Sequence, residues 1–160
     1  MDNLFWEYSC AGYAKEGVAA LCLALQDEFG MDVNVLLYGA WLGNMGVEAS
    51  QAHLSAIDEH VLQWRQDIVL PLRALRRDMK GLPAGEASYE ELKALELSAE
   101  QQQQELMYSY YSAHKHSLTS IAPRAANTQW ENLRLSALIY SRDEANWNDK
   151  VQRLSHYLAA

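Results

Sequence analysis

At 160 residues, 49% of them apolar, the chain is long enough to bury a substantial core and too hydrophobic to remain disordered. Its net charge of −8 works against general binding to nucleic-acid phosphates and to anionic membrane surfaces. Two cysteines, Cys10 and Cys22, with no CxxC spacing form no disulfide framework and point to a reduced, cytoplasmic compartment.

The opening "MDNLFWEYS" has neither a basic segment nor an apolar run, so no signal peptide is expected. No apolar run reaches the roughly 18 to 20 residues that span a bilayer. Only three prolines and eight glycines punctuate the sequence, and the long Ala-, Leu-, Glu- and Gln-rich stretches have helical spacing. The expected fold is all-α: a single-domain bundle of about six to seven helices over residues 1–160, with two buried central helices near the N-terminus.

The first helix is expected from about Ala11 to Phe29. Val18, Leu21, Cys22, Leu25 and Phe29 form one face, and Ala19, Ala20, Leu23 and Ala24 cover the other sides, so burial all round is expected. Gly30 stops it in a left-handed conformation. Asp32 caps a second helix, Val33 to about Leu42, through the free N–H of Asn34 or Val35. A third helical stretch runs from about Ser50 to Lys80, carrying Leu54, Ile57, Val61, Trp64 and Ile68. Pro71 should kink or break it and stand at a first helical position.

"GLPAGEA" reads as a loop. Ser88 and Glu91 then form an S-x-x-E capping box for a long polar helix ending near His114. Its thin apolar stripe is Leu92, Leu95, Ala99, Leu106 and Tyr110, and "EQQQQE" reads as a solvated face. After Pro123, Asn127 or Thr128 starts a helix carrying Trp130, Leu133, Ala137 and Tyr140. A last helix runs from about Asp143 to Leu158. Trp6, Trp41 and Trp64 read as core anchors. Tyr108, Tyr110 and Tyr111 cannot all share one face, so at least one should be exposed or in an interface.

Chemistry concentrates in few places. Asp27 and Glu28 lie in the last turn of the first helix, against the macrodipole, and need a cation. The basic cluster Arg73, Arg76, Arg77 and Lys80 has i, i+3, i+4, i+7 spacing, which places it on one side of a helix. Three readings apply to it. It can pair across an antiparallel contact with the acidic stretch Glu86–Glu105, form an anion site suited to arginine forks, or touch nucleic acid. The low cation count disfavours the last. Asp27 is expected to pair with Arg73 or Arg77. The candidate polar site is therefore Asp27, Asn34, Arg73, Arg76 and Arg77.

His53, His60, His114, His116 and His156 form no HxxH, HExxH or ExxH pair, so no metal site is expected. Neither a phosphate loop, a GxSxG nor a Cys–His arrangement with an orienting acid is found, and no catalytic residue or cofactor is assigned.

The run "FWEYSCAGYAKEGVAALCLALQDEFGMDVNVLLYGAWLG", followed by "WRQDIVLPLRALRRDMK", resembles a bacterial family of short uncharacterised proteins, the domain-of-unknown-function 2390 family. The resemblance covers roughly residues 5–105. It is carried by Phe5, Trp6, Tyr13, Gly17-Val18, Cys22-Leu23, Leu25-Gln26-Asp27, Gly30, Asp32-Val33-Asn34 and Trp41-Leu42. Trp64-Arg65, Pro71-Leu72-Arg73 and Arg76-Arg77 continue it, with acids at Glu96 and Glu100. The tail, about 115–160, matches little. The resemblance implies a helical cytosolic protein and brings no activity or substrate.

The sequence thus leaves two expectations. The first is a non-enzymatic helical module acting through a protein partner or self-association. The second is a small-anion-binding protein or enzyme whose polar pocket lies between central helices, lined by Asp27, Asn34, Arg73 and Arg77. The discriminating feature is whether those side chains converge on a cavity or are consumed in structural pairs.

Overall fold

The computed structural model describes residues 2–82, 86–121 and 127–160. Pro83 to Gly85 of the expected loop, and Pro123, lie outside the described residues. The chain is an all-α bundle: α1 (Leu4–Tyr13), α2 (Val18–Phe29), α3 (Val33–Asn44), α4 (Gln51–Trp64), α5 (Leu70–Met79), α6 (Glu86–His114), α7 (Thr128–Tyr140) and α8 (Glu144–Ala159). A five-residue π-helical stretch, Arg65–Val69, joins α4 to α5 without a break.

The expected first helix is two helices. Asn3 caps α1, its side-chain oxygen accepting from Trp6 N at 2.9 Å. Gly17 then adopts φ 87°, a left-handed conformation costly for other residues, and α2 starts afresh at Val18. Nor is α2 buried all round. Val18, Leu21, Cys22 and Leu25 face the core, while Leu23 is half-exposed. Only α3 fits the central role, with every residue from Val33 to Leu42 buried. It touches α1, α2, α4, α6, α7 and α8. Its start is as the sequence dictates: Gly30 closes α2 at φ 65°, and Asp32 Oδ1 accepts from Asn34 N at 2.8 Å.

Pro71 neither breaks the chain nor stands first in α5. It is the second residue of α5, and the accommodation lies upstream of it. Proline lacks an N–H and crowds the carbonyl four residues back, that of Asp67. The wider π turn absorbs the misfit, with Leu70 N donating to the Arg65 carbonyl five residues earlier.

Helix α6 starts at Glu86, so Ser88 lies within it rather than capping it. Its inward line is Glu96, Ala99, Gln103, Gln104 and Met107, whereas Leu95 and Leu97 are exposed. Two of the four glutamines in the "EQQQQE" tract, Gln103 and Gln104, are therefore core and not a solvated face. The tyrosines divide between two half-buried clusters: Tyr108 and Tyr111 pack on Trp41, and Tyr110 lies among His53, His60 and His114. Trp41 is buried, as expected, while Trp6 and Trp64 are half-buried. Both cysteines are free, Cys22 buried and Cys10 exposed.

Two residues of extended chain, β1 (Val47–Glu48), pair antiparallel with β2 (Thr119–Ser120), in register Val47 to Ser120 and Glu48 to Thr119. This short bridge has no alternating pattern to betray it. Asn132 on α7 secures it from behind, donating to Val47 O at 2.9 Å and accepting from Ala49 N at 3.0 Å. One contiguous core runs from Phe5 to Leu158 and includes Leu133, Ala137, Trp147, Val151 and Leu154 from the last two helices.

Helices α3 and α7 meet backbone to backbone. A Cβ at Gly43 would stand 2.5 Å from Gln129 Cα and 2.7 Å from Gln129 N. Gly43→Ala gains about 1 kcal/mol of helix propensity at most. It must also push two backbones apart, so a net loss of at least about 2 kcal/mol is expected in urea unfolding.

Candidate functional site

A cavity of about 540 Å³ opens between the α2–α3 turn, the π stretch, α5 and α6, with Tyr140 of α7 contributing to its wall. Asp27, Asn34, Arg73 and Arg77 all line it, together with Asp32, Arg65, Glu100 and Gln103. The two outcomes posed by the sequence are thus realised together, because the side chains converge on a cavity and are also paired.

Asp32 is the innermost carboxylate, with a side chain 6% exposed. Beyond its capping bond, its Oδ2 accepts from Arg65 Nη1 at 2.7 Å and from Gln103 Nε2 at 2.8 Å. Arg65 Nη1 also donates to Asp58 Oδ1 at 2.8 Å, and Tyr140 donates its hydroxyl proton to the same oxygen. Burial opposes the Arg65 charge, but the carboxylates of Asp32 and Asp58 outweigh it and raise its pKa. Burial, helped by the negative charges of Asp32 and Asp58, pushes the Tyr140 phenol far above its ordinary range, so it remains a hydrogen-bond donor.

The basic cluster splits. Arg73 Nε donates to Glu96 Oε1 and its Nη2 to Glu100 Oε1, both at 2.9 Å. Arg76 Nε donates to Glu96 Oε2. These contacts align α5 antiparallel to α6, the pairing that the opposed charge of the two segments suggests. The two arginines overcome burial at Glu96 and hold its carboxyl below the usual range. Glu100 goes the other way. Burial raises its pKa, Arg73 pulls it down, and the charges of Glu96 and Asp32 raise it again, with a net rise.

Arg77 reaches back to α2, its Nη2 donating to Asp27 Oδ1 at 2.8 Å. This is the expected answer to an acid at a helix C-terminus, and Lys150 answers Glu28 at 3.6 Å. The Arg77–Asp27 pair sits at the rim, with side chains 49% and 53% exposed. Asn34 is buried, its Oδ1 accepting from Gln104 Nε2 at 2.8 Å. Arg76 alone of the expected site residues does not line the cavity.

Sequence reasoning assigned Asp32 only a capping role and missed Arg65, Glu100, Gln103 and Tyr140. One signal was available. The spacing Ala99, Gln103, Met107 puts a glutamine on the buried line of α6, where an apolar residue would otherwise stand. Arg65 carried no such signal, because its orientation depends on the π turn. Among the described residues, no group of three or more His, Cys, Asp or Glu side chains is placed to hold a metal ion. Among the same residues, no helix is long and apolar enough to cross a membrane.

The depth of the two ion pairs separates their energetics. Asp27→Ala removes an exposed contact and should cost below about 1 kcal/mol. Asp32→Ala leaves Arg65 buried beside a single remaining carboxylate and uncaps α3, so about 3–5 kcal/mol is expected. Equilibrium urea unfolding of the two variants checks the contrast, and equal losses would contradict it.

No curated protein and no solved structure matches the chain. A family model described as a protein of unknown function, DUF2390, matches residues 4–107. Of the residues lining the cavity, all but Tyr140 fall inside that match. The chain belongs to the DUF2390 family of proteins of unknown function.

Proposed function

We propose that the protein binds a small organic anion in the cavity between α2, α3, α5 and α6. The observation that carries this reading is the unspent donor capacity of three arginines around one space. Among the described residues, Arg65 bonds only through Nη1 and Arg77 only through Nη2. Arg73 Nη1 makes no hydrogen bond among the described residues. Guanidinium forks of this kind suit carboxylate and phosphate groups. The cavity size fits a metabolite-sized ligand. A π turn that deflects Arg65 fits too, since such turns recur at functional sites. A reduced cytosol remains the compartment that best suits the two free thiols.

A second reading, a protein-interaction module, has one observation in its favour. Leu75, Leu82, Leu95 and Leu97, on or beside the α5–α6 pair, are each more than half exposed. Size-exclusion chromatography with light scattering tests self-association directly.

For the first reading, inorganic phosphate, citrate and acetate are the probes, each at several millimolar and fixed ionic strength. At least one should raise Tm by about 2–4 °C. Arg77→Gln, which leaves the buried pairs intact, should abolish most of that rise. No response to any probe, or a response unchanged in Arg77→Gln, would rule the reading out.

A further inference from the structure

Beside the cavity four carboxylates share three arginines, and of the four Asp32 and Glu100 line it while Asp58 and Glu96 do not. Asp32 and Asp58 share Arg65, while Glu96 and Glu100 share Arg73 and Arg76. Glu96 takes a bond from each of its two arginines. Glu100 keeps one arginine bond on Oε1, and its Oε2 accepts from no described residue. One turn along α6, Gln103 has 0% exposure and an Oε1 with no partner. Its amide cannot be turned round, because that would set oxygen against the Asp32 carboxylate that Nε2 now serves. Next to the spare arginine donors, Glu100 and Gln103 thus leave unspent acceptors.

We propose that the cavity's ligand is an amino acid-like zwitterion, its ammonium seated at Glu100 beside Gln103 and its anionic group held by the arginines. This rests on the anion-binding reading and adds the second pole of the ligand. It also accounts for the environment of Glu100. The groups facing Glu100 are Arg73 from α5, Asp32 from the α2–α3 turn, Tyr13 from α1 and Glu96 on its own helix. Arg73 alone does not offset burial and the two neighbouring carboxylates, so a proton occupies Glu100 more readily than an ordinary glutamate. An ammonium seated there would favour the ionised carboxylate and pull the Glu100 pKa back down.

The sign of the pH effect follows. A carboxyl whose folded pKa is raised contributes stability that is present below its unfolded value and lost as pH rises through its folded value. Glu100→Gln removes the ionisable group and should melt higher than the parent at pH 8, with the gap closing towards pH 4. The binding arm uses glycine, β-alanine and γ-aminobutyrate against acetate, propionate and butyrate, with butylamine as the cation alone. One of the amino acids should raise Tm by about 2–4 °C more than its matched carboxylate, and Glu100→Gln should erase that difference. Butylamine alone should do little. If carboxylates and amino acids stabilise equally, the zwitterion inference falls and the anion site stands. If none of the seven shifts Tm, the zwitterion inference falls, and phosphate and citrate decide the anion site. A Glu100→Gln variant that melts no higher than the parent at pH 8 overturns the surplus charge and the inference with it.

Discussion

The Asp32 carboxylate is the point on which three parts of the molecule converge. One oxygen stops α3 from fraying by taking its second free N–H; the other receives Arg65 from the π stretch and Gln103 from α6. A cap bond alone is worth about 1 kcal/mol. Here the same group also fixes where α4 turns towards α5 and how α6 lies across the α2–α3 turn. The central helix, the helix that carries the arginines and the wall opposite them are thus referenced to one residue.

The π turn has the complementary role. Pro71 requires some accommodation in the preceding turn, and an inserted residue meets that need without losing the helix. Arg65 leaves this turn towards Asp32 and Asp58, whereas Arg73 and Arg76 leave α5 towards α6, and Arg77 towards α2. One continuous helical rail therefore supplies cations in several directions, which four residues on an ideal helix face could not do.

How much of this could be read beforehand depended on the range of the interaction. Gly30, Asp32 and the paired charges of α5 and α6 were legible because capping, stops and charge opposition act between near neighbours in sequence. Asp27 was legible for a related reason: an acid against a helix dipole demands a partner, and the basic cluster was limited to one segment. The split at Gly17 was missed because Val18 to Phe29 reads as helix on both its faces, which masked the conformational signal of one glycine. Gln103 and Gln104 were misread because their tract is polar, and only the fold reveals that it crosses the core with its own hydrogen-bond partners. Arg65 was beyond reach, since one extra residue in a turn rotates every side chain before it relative to those after it.

The contact between α3 and α7 bears on how the family's unit should be drawn. The match ends at residue 107, yet the most buried helix inside it lies backbone against backbone with one that begins at Thr128. Gly39 and Gly43 are small because something outside the match must come close. The close contact between α3 and α7 thus crosses the boundary of the matched segment. The inward face of this tail helix is shaped by residues about ninety positions earlier in the chain.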